Sequence, residues 1–333
     1  MCKCANPKRR QSIFDVRFLI LHLSLVNNLR RNTLGAILSV FGARQIRMLP
    51  SQLPSAGGSS VKSQQSKYQE LTGLLRPRLA EGLIVAFSGG VDSSFLLWAA
   101  EQTRQRYGGR LLAITSVSAS LAQVEKEDAR SFAESLGVEH VLEESAEFSN
   151  QEYLSNDGNR CFHCKTELFR LSSALSQRRG YKWMAYGYNA SDRGDFRPGH
   201  AAALENKVLS PLNDANLTKE DIRALMRLNN LDLADKPASP CLSSRLMTGV
   251  QITPKKLRDV EEMEMLLRRG GLNVFRVRLH ENGDSRFLRL EVAPDELSRA
   301  TEMRDELVSL GRRLGYRWVT LDLAGYRTGG GNL

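Results

Sequence analysis

The chain has 333 residues, 41% of them apolar and 25% charged, a balance that excludes a wholly disordered chain, a collagen-like repeat and a polytopic membrane protein. Five cysteines are too few for a disulfide scaffold, and an odd number cannot all pair. The formal charge of +10 suggests nucleic acid until it is located: residues 1–60 hold nine Lys or Arg against the single acid Asp15, and the rest balances 38 basic against 36 acidic residues, a net of +2.

Residues 1–50 therefore read as a basic N-terminal extension. Lys8-Arg9-Arg10 precedes an apolar run from Phe18 to Val26, closed by Arg30-Arg31. A run this short cannot cross a bilayer, which needs roughly 20 apolar residues. Asn27-Asn28-Leu29 is not a secretory cleavage site. The composition fits a transit-type presequence. The simpler expectation is that the stretch before Met48, with Cys2 and Cys4, is not part of the working protein. Residues 51–66, rich in Ser, Gly, Gln and Pro, predict a flexible linker. A cytoplasmic chain with no membrane partner is expected.

From Tyr68 the pattern becomes regular. Tyr68, Leu71, Leu74 and Leu75 have helical spacing, and Pro77 is expected to end that helix. Leu83 to Phe87 is an unbroken apolar run, as in a strand buried on both faces. Ser88-Gly89-Gly90-Val91-Asp92-Ser93-Ser94 follows, and then an apolar helix at 95–100. Further strands are expected at 111–115, 138–142 and 182–186, with helices at 121–136 and 165–177. Strands alternating with helices predict an α/β fold with a doubly wound parallel sheet. The last third reads as a smaller α+β domain, with helices at 254–269 and 294–314 and strands at 272–280, 286–292 and 316–323.

The turn after the first strand carries the chemistry. Small residues let the backbone curl, so that successive N–H groups at a helix N-terminus can hold a phosphate oxygen. Ser88 and Ser93 add hydroxyls, and Asp92 can orient the loop or hold a metal ion. The spacing and lysine of a Walker loop are missing. The string SGGVDS after an apolar strand resembles the pyrophosphate loop (PP-loop) of ATP pyrophosphatases, which split ATP into AMP and pyrophosphate while adenylating a substrate oxygen. The resemblance implies that Ser88, Gly89, Gly90, Asp92 and Ser93 bind ATP phosphates with Mg²⁺, and that Thr115 and Ser116 lie near the adenosine.

Cys161 and Cys164, in Asn159-Arg160-Cys161-Phe162-His163-Cys164-Lys165, have CxxC spacing just before the helix expected at 165–177. Cys241 follows in Asp235-Lys236-Pro237-Ala238-Ser239-Pro240-Cys241-Leu242-Ser243-Ser244-Arg245. A CxxC pair can be a zinc half-site, a redox pair or part of an iron–sulfur site. Zinc would need a fourth ligand such as His163, His200 or His280. Near the other end, Arg276 and Arg278 alternate on a strand and so share a face. The pattern alone suggests an exposed face with ordinary salt bridges.

These strings, with GYNASDRGDFRPG at 187–199, LSPL at 209–212 and LDLAGYRTG at 321–329, together resemble the LarE family over roughly residues 67–330. Those enzymes are ATP-dependent sulfur transferases of nickel-pincer nucleotide cofactor biosynthesis. The resemblance implies a PP-loop domain at 67–240 and a C-terminal substrate or oligomerisation domain at 241–333. It implies conversion of a carboxylate of pyridinium-3,5-biscarboxylic acid mononucleotide to a thiocarboxylate. Ser244, Arg245, Glu264, Arg276, Arg278 and Asp295 become candidates for the substrate-phosphate site. Family members with only the counterpart of Cys241 sacrifice its sulfur, while those with all three cysteines carry a 4Fe-4S cluster. The presence of Cys161, Cys164 and Cys241 implies the second kind. Tyr188 departs from the pattern, since a small residue is expected in a loop facing ATP. The partners implied are a small nucleotide and further copies of the chain, without nucleic acid. A PP-loop tRNA thiolase and a non-catalytic metal-binding relative are the alternatives, and the near-neutral body argues against the former.

Overall fold

A computed structural model describes residues 59–327 except 195–197 and 284; the basic extension, with the expectations attached to it, lies outside the described residues. Helix α1 (Ser59–Glu81) buries Leu71, Leu75 and Leu79 along one face. It differs from expectation at both ends. The linker expected at 51–66 is helical from Ser59 onward, and Pro77 does not stop the helix. Proline removes the bond to the carbonyl four residues earlier, but Gly73 and Pro77 both face solvent, where water can satisfy that carbonyl.

Strand β1 (Leu83–Ala86) is buried throughout and leads through the Gly-rich loop into α2 (Val91–Tyr107). That helix is apolar all round from Phe95 to Ala100 and lies in the interior. Strand β2 (Leu111–Val117), α3 (Gln123–Leu136), β3 (His140–Glu144), α4 (Arg160–Arg179) and β4 (Trp183–Tyr186) complete a parallel sheet. Its order is β3-β2-β1-β4. The strand order reverses between β1 and β4, so the carboxyl ends of these two strands flank the crevice where such sheets bind ligands. The Gly-rich loop lies there.

The residue after β4 is fitted to that loop. A Cβ on Gly187 would stand 2.7 Å from the Ser93 amide nitrogen and 3.0 Å from the Asp92 carbonyl carbon. Both neighbours are backbone and cannot swing aside. Gly187→Ala is therefore expected to push the loop and β4 apart and to lower the thermal unfolding midpoint, which a melting curve reads directly.

Beyond the sheet come α5 (Pro198–Glu205) and α6 (Lys219–Leu228), which is capped by Thr218 and Asp221 in a reciprocal box. Lys67 on α1 pairs with Asp221 at 2.6 Å. The second layer has α7 (Pro254–Arg269) packed on a three-stranded sheet. Strands β5 (Phe275–Asn282) and β6 (Ser285–Val292) form an antiparallel hairpin. The helix expected at 294–314 is broken instead into short turns and α8 (Arg304–Leu314), and β7 (Trp318–Leu321) then runs parallel to β6. Leu257, Val260, Met263, Val277, Leu279, Leu288 and Leu290 fill its core, which also takes in Tyr153 from before α4. Among the described residues no helix is long and apolar enough to cross a membrane.

Candidate functional site

Gly89 holds φ +69°, a conformation that favours glycine. Its missing side chain also matters, because a Cβ there would meet Ala129 of α3 at 3.1 Å. Ser93 braces the loop from within. Its Oγ accepts from the Ser88 amide at 3.3 Å, donates to the Gly90 carbonyl at 3.1 Å and lies 3.1 Å from the Ser88 hydroxyl. Ser88 itself is exposed at the mouth. The first-turn amides of α2 have no intrahelical acceptor, so the loop presents donors where an oxyanion can sit.

Asp92 stands beside this turn, and its Oδ2 accepts from Lys219 Nζ at 2.6 Å. Burial pushes the Asp92 carboxyl up, and the lysine opposes that shift. Its Oδ1 is buried without a hydrogen-bond partner. Such an oxygen suits a Mg²⁺ ion, which takes one or two carboxylates and completes its shell with phosphates and water. Lys219 uses one of its three N–H donors on Asp92 and has the others to offer. Lys236 sits on the far side of the loop with its Nζ near the Gly89 carbonyl (3.3 Å), Glu125 (2.7 Å) and Asp128 (2.9 Å).

The expected adenosine neighbours are placed at the carboxyl end of β2, next to the loop. Thr115 is committed to His140 and to the Phe87 carbonyl. Ser116 is half-buried and in register with Glu143. Tyr188, where a small residue is expected, is buried. Its ring stacks on His200 at 4.0 Å between centroids, and its hydroxyl bonds the Asp192 carbonyl.

The CxxC pair lies within the first two turns of α4 rather than before a helix. Residues three apart share a helix face, which puts both thiols on one side. Cys241 joins their neighbourhood because the next residue, Leu242, donates its amide to the Ser120 carbonyl at 2.8 Å. Ser118 and Ser120 in turn hold the buried Glu147. Burial, then the charges of Glu147 and Cys241, push the Cys164 thiol well above its usual range. Lys165 opposes that shift, and Arg160 serves the other two thiols. Its guanidinium reaches Cys161 Sγ at 4.0 Å and the Ser243 carbonyl at 3.1 Å, and it feels both Cys161 and Cys241. All three thiols are free. They are neighbours but not a ligand set, since among the described residues no three His, Cys, Asp or Glu gather to hold a metal ion. The histidines considered for zinc are engaged elsewhere: His163 with Glu152, His200 with Tyr186 and Tyr188, His280 with Phe287 and Arg289.

The arginine face of β5 is not the exposed one that its pattern suggests. Arg278 is buried against Glu291 at 3.1 Å and donates to the Ser244 carbonyl. Arg245 is buried in a two-bond pair with Glu264 at 3.0 and 3.1 Å. Among the described residues Arg276 has no carboxylate partner. It donates to the carbonyls of Phe275 and Ala238 and lies over the Tyr326 ring. Burial and then the neighbouring Arg245 hold its pKa below the usual guanidinium range, so an incoming anion would find a cation short of countercharge. Asp295 is exposed on the turn after β6 and makes no hydrogen bond with these arginines. Lys219 and Lys236 are the residues that sequence reasoning passed over. Lys236 lies in the motif that runs from Asp235 to Arg245, whereas nothing local marks Lys219.

A parallel sheet with an SGGVDS loop at its switch point, joined to a small α+β layer, defines an α/β protein of the PP-loop kind. No family model matches the chain. An uncharacterized protein of Synechocystis sp. is 39% identical over 248 residues, covering 74% of this chain and 90% of that relative. The pyridinium-3,5-bisthiocarboxylic acid mononucleotide synthase of Lactiplantibacillus plantarum is 29% identical over 246 residues, 74% of this chain and 87% of its own length. The chain belongs to the LarE family. A second uncharacterized relative, from Methanocaldococcus jannaschii, is 27% identical over 53% of this chain and 67% of its own.

Proposed function

We propose that this chain is an ATP-dependent sulfurtransferase of nickel-pincer cofactor biosynthesis. It converts a carboxylate of pyridinium-3,5-biscarboxylic acid mononucleotide to a thiocarboxylate. The observation that carries the reading is the pairing of an oxyanion-ready loop with a neighbourhood of three free thiols, joined by the segment from Lys236 to Cys241. In the first step a carboxylate oxygen attacks the α-phosphorus and pyrophosphate leaves. Lys219 neutralises Asp92, which would otherwise repel the phosphates, and Asp92 Oδ1 is the oxygen offered to Mg²⁺. In the second step a sulfur nucleophile attacks the acyl carbon, and AMP leaves with the bonding pair.

Cys241 is the thiol assigned to that step: its sulfur displaces AMP to form a thioester, and loss of the Cα proton with cleavage of the Cβ–Sγ bond then releases the thiocarboxylate and leaves dehydroalanine in the chain. A 4Fe-4S cluster, when bound, would supply a terminal sulfide in its place, but the three thiols as they stand do not form its ligand set. The partners are a small nucleotide and further copies of the chain.

Pure protein with ATP, Mg²⁺ and the dicarboxylate mononucleotide is expected to form AMP and pyrophosphate in equal amounts. No AMP above a no-substrate control overturns the reading. Lys219→Met is expected to raise the KM for ATP about tenfold, equivalent to about 1.4 kcal/mol of lost binding, and steady-state kinetics measure it. The sulfur source is read from the product protein. A chain about 34 Da lighter, by the elements of H₂S, has passed the Cys241 sulfur to the product and kept dehydroalanine, whereas an unchanged chain holding about four irons has used a cluster.

A further inference from the structure

The segment from Lys236 to Cys241 is held almost entirely by side chains of other elements. Residues 237–240 are exposed, and two of them are prolines with no amide proton. Arg223 donates to the Lys236 carbonyl at 3.1 Å, Arg276 to that of Ala238 and Arg245 to that of Pro240. At the far end Ser244 Oγ donates to the Cys241 carbonyl at 2.7 Å.

The near end is anchored differently. An ammonium group has three donors, and Lys236 has three acceptors: the Gly89 carbonyl, Glu125 and Asp128. Its side chain is only 13% exposed. All its donors are spent, so Lys236 is not a spare cation waiting for phosphate. The three acceptors also form one mechanical unit. Glu125 and Asp128 are one turn apart on α3, and the next residue, Ala129, is the one against which Gly89 is wedged. A shift of the loop therefore moves the anchor of the strap. Five residues span at most about 18 Å when extended, and the prolines remove much of their slack. Displacement at Lys236 is thus passed on to Cys241.

We propose that Lys236 is a positioning residue that couples the nucleotide loop to Cys241, so that occupation of the loop sets where the thiol stands. The proposal rests on the functional reading above and adds to it an order of events: the sulfur site is arranged by the nucleotide before the carboxylate is activated.

The test is alkylation of the full chain by iodoacetamide, with the three thiols resolved by peptide mass spectrometry. ATP binding is measured alongside, and substrate is left out so that no turnover occurs. Saturating ATP with Mg²⁺ is expected to slow alkylation of Cys241 at least fivefold in the wild type and less than twofold in Lys236→Met. Lys236→Arg is expected to restore most of the protection. Should Lys236→Met fail to fold, the double variant Glu125→Gln with Asp128→Asn loosens the same anchor, and the same loss of protection is expected. Full protection in the folded anchor variant means that ATP shields the thiol directly, and overturns the coupling. A wild type that binds ATP with Cys241 unaffected overturns the coupling alone. A wild type that binds no ATP removes the functional reading and the coupling with it.

Discussion

Replacing Cys241 by alanine is expected to leave AMP and pyrophosphate formation within about threefold of the wild type and to abolish thiocarboxylate, a loss of at least about 10³-fold. On the proposed reading the two steps use different parts of the chain. Adenylation needs the loop at 88–93, whose hydrogen bonds among Ser88, Gly90 and Ser93 are internal to it. The sulfur step needs a nucleophile beside Arg160, and Cys241 is the thiol that the anchor to Ser120 brings there. Cys164 is a poor substitute, because burial and the nearby Glu147 keep its thiol protonated and the thiolate is the nucleophile. Pyrophosphate release and mass analysis of the nucleotide product measure the two steps separately. Thiocarboxylate at the wild-type rate in the variant would remove Cys241 from the sulfur step.

Arg245→Met is expected to cost about 3–5 kcal/mol of stability, the usual penalty for leaving a buried charge alone. Arg245 is 3% exposed and Glu264 8%. The carboxylate would keep only the Val277 amide at 3.2 Å in place of two guanidinium bonds. For a chain of this size the thermal midpoint should fall by roughly 6–20 °C. Replacing both partners, as Arg245→Met with Glu264→Leu, should recover much of the loss, because no lone charge remains. Equal losses in the single and double variants would show that packing, and not charge, holds this position. The same geometry separates Arg245 from Arg276. The first is committed to Glu264, whereas Arg276→Met should leave stability nearly unchanged and raise the KM for the mononucleotide.

The sequence makes the first half of the sheet plain for a physical reason. A strand buried on both faces is an unbroken apolar run, as at Leu83 to Phe87, and the Gly-Gly that follows announces a backbone curl. Register is less visible: β3 begins two residues later than its apolar pattern indicates, because Val138 is buried ahead of the ladder. Pro77 misleads because the cost of a helical proline depends on whether the freed carbonyl meets water, which tertiary structure decides. Arg278 looks solvated because its carboxylate, Glu291, comes from β6, and Arg276 because the Ala238 carbonyl that it meets lies 38 residues away; neither partner is visible locally. Lys219 lies 127 residues from Asp92 and Lys236 lies 147 from Gly89. No local pattern encodes contacts of that range. The motif strings of the family carry the site further than periodicity does, since they mark residues that pattern alone would leave as turn or surface.

The strand order of the larger sheet also has a kinetic side. The β5–β6 hairpin closes over the short turn between Asn282 and Ser285, a local pairing of the kind that forms in microseconds. Strand β1, by contrast, meets β4 only when Leu83 finds Trp183, across about a hundred residues, and closing so long a span is slow. Gly187 cannot reach Ser93 until that happens. During refolding the small layer should therefore gain protection from hydrogen exchange early, and the crevice at the larger sheet's reversal should be among the last parts of the molecule to take shape.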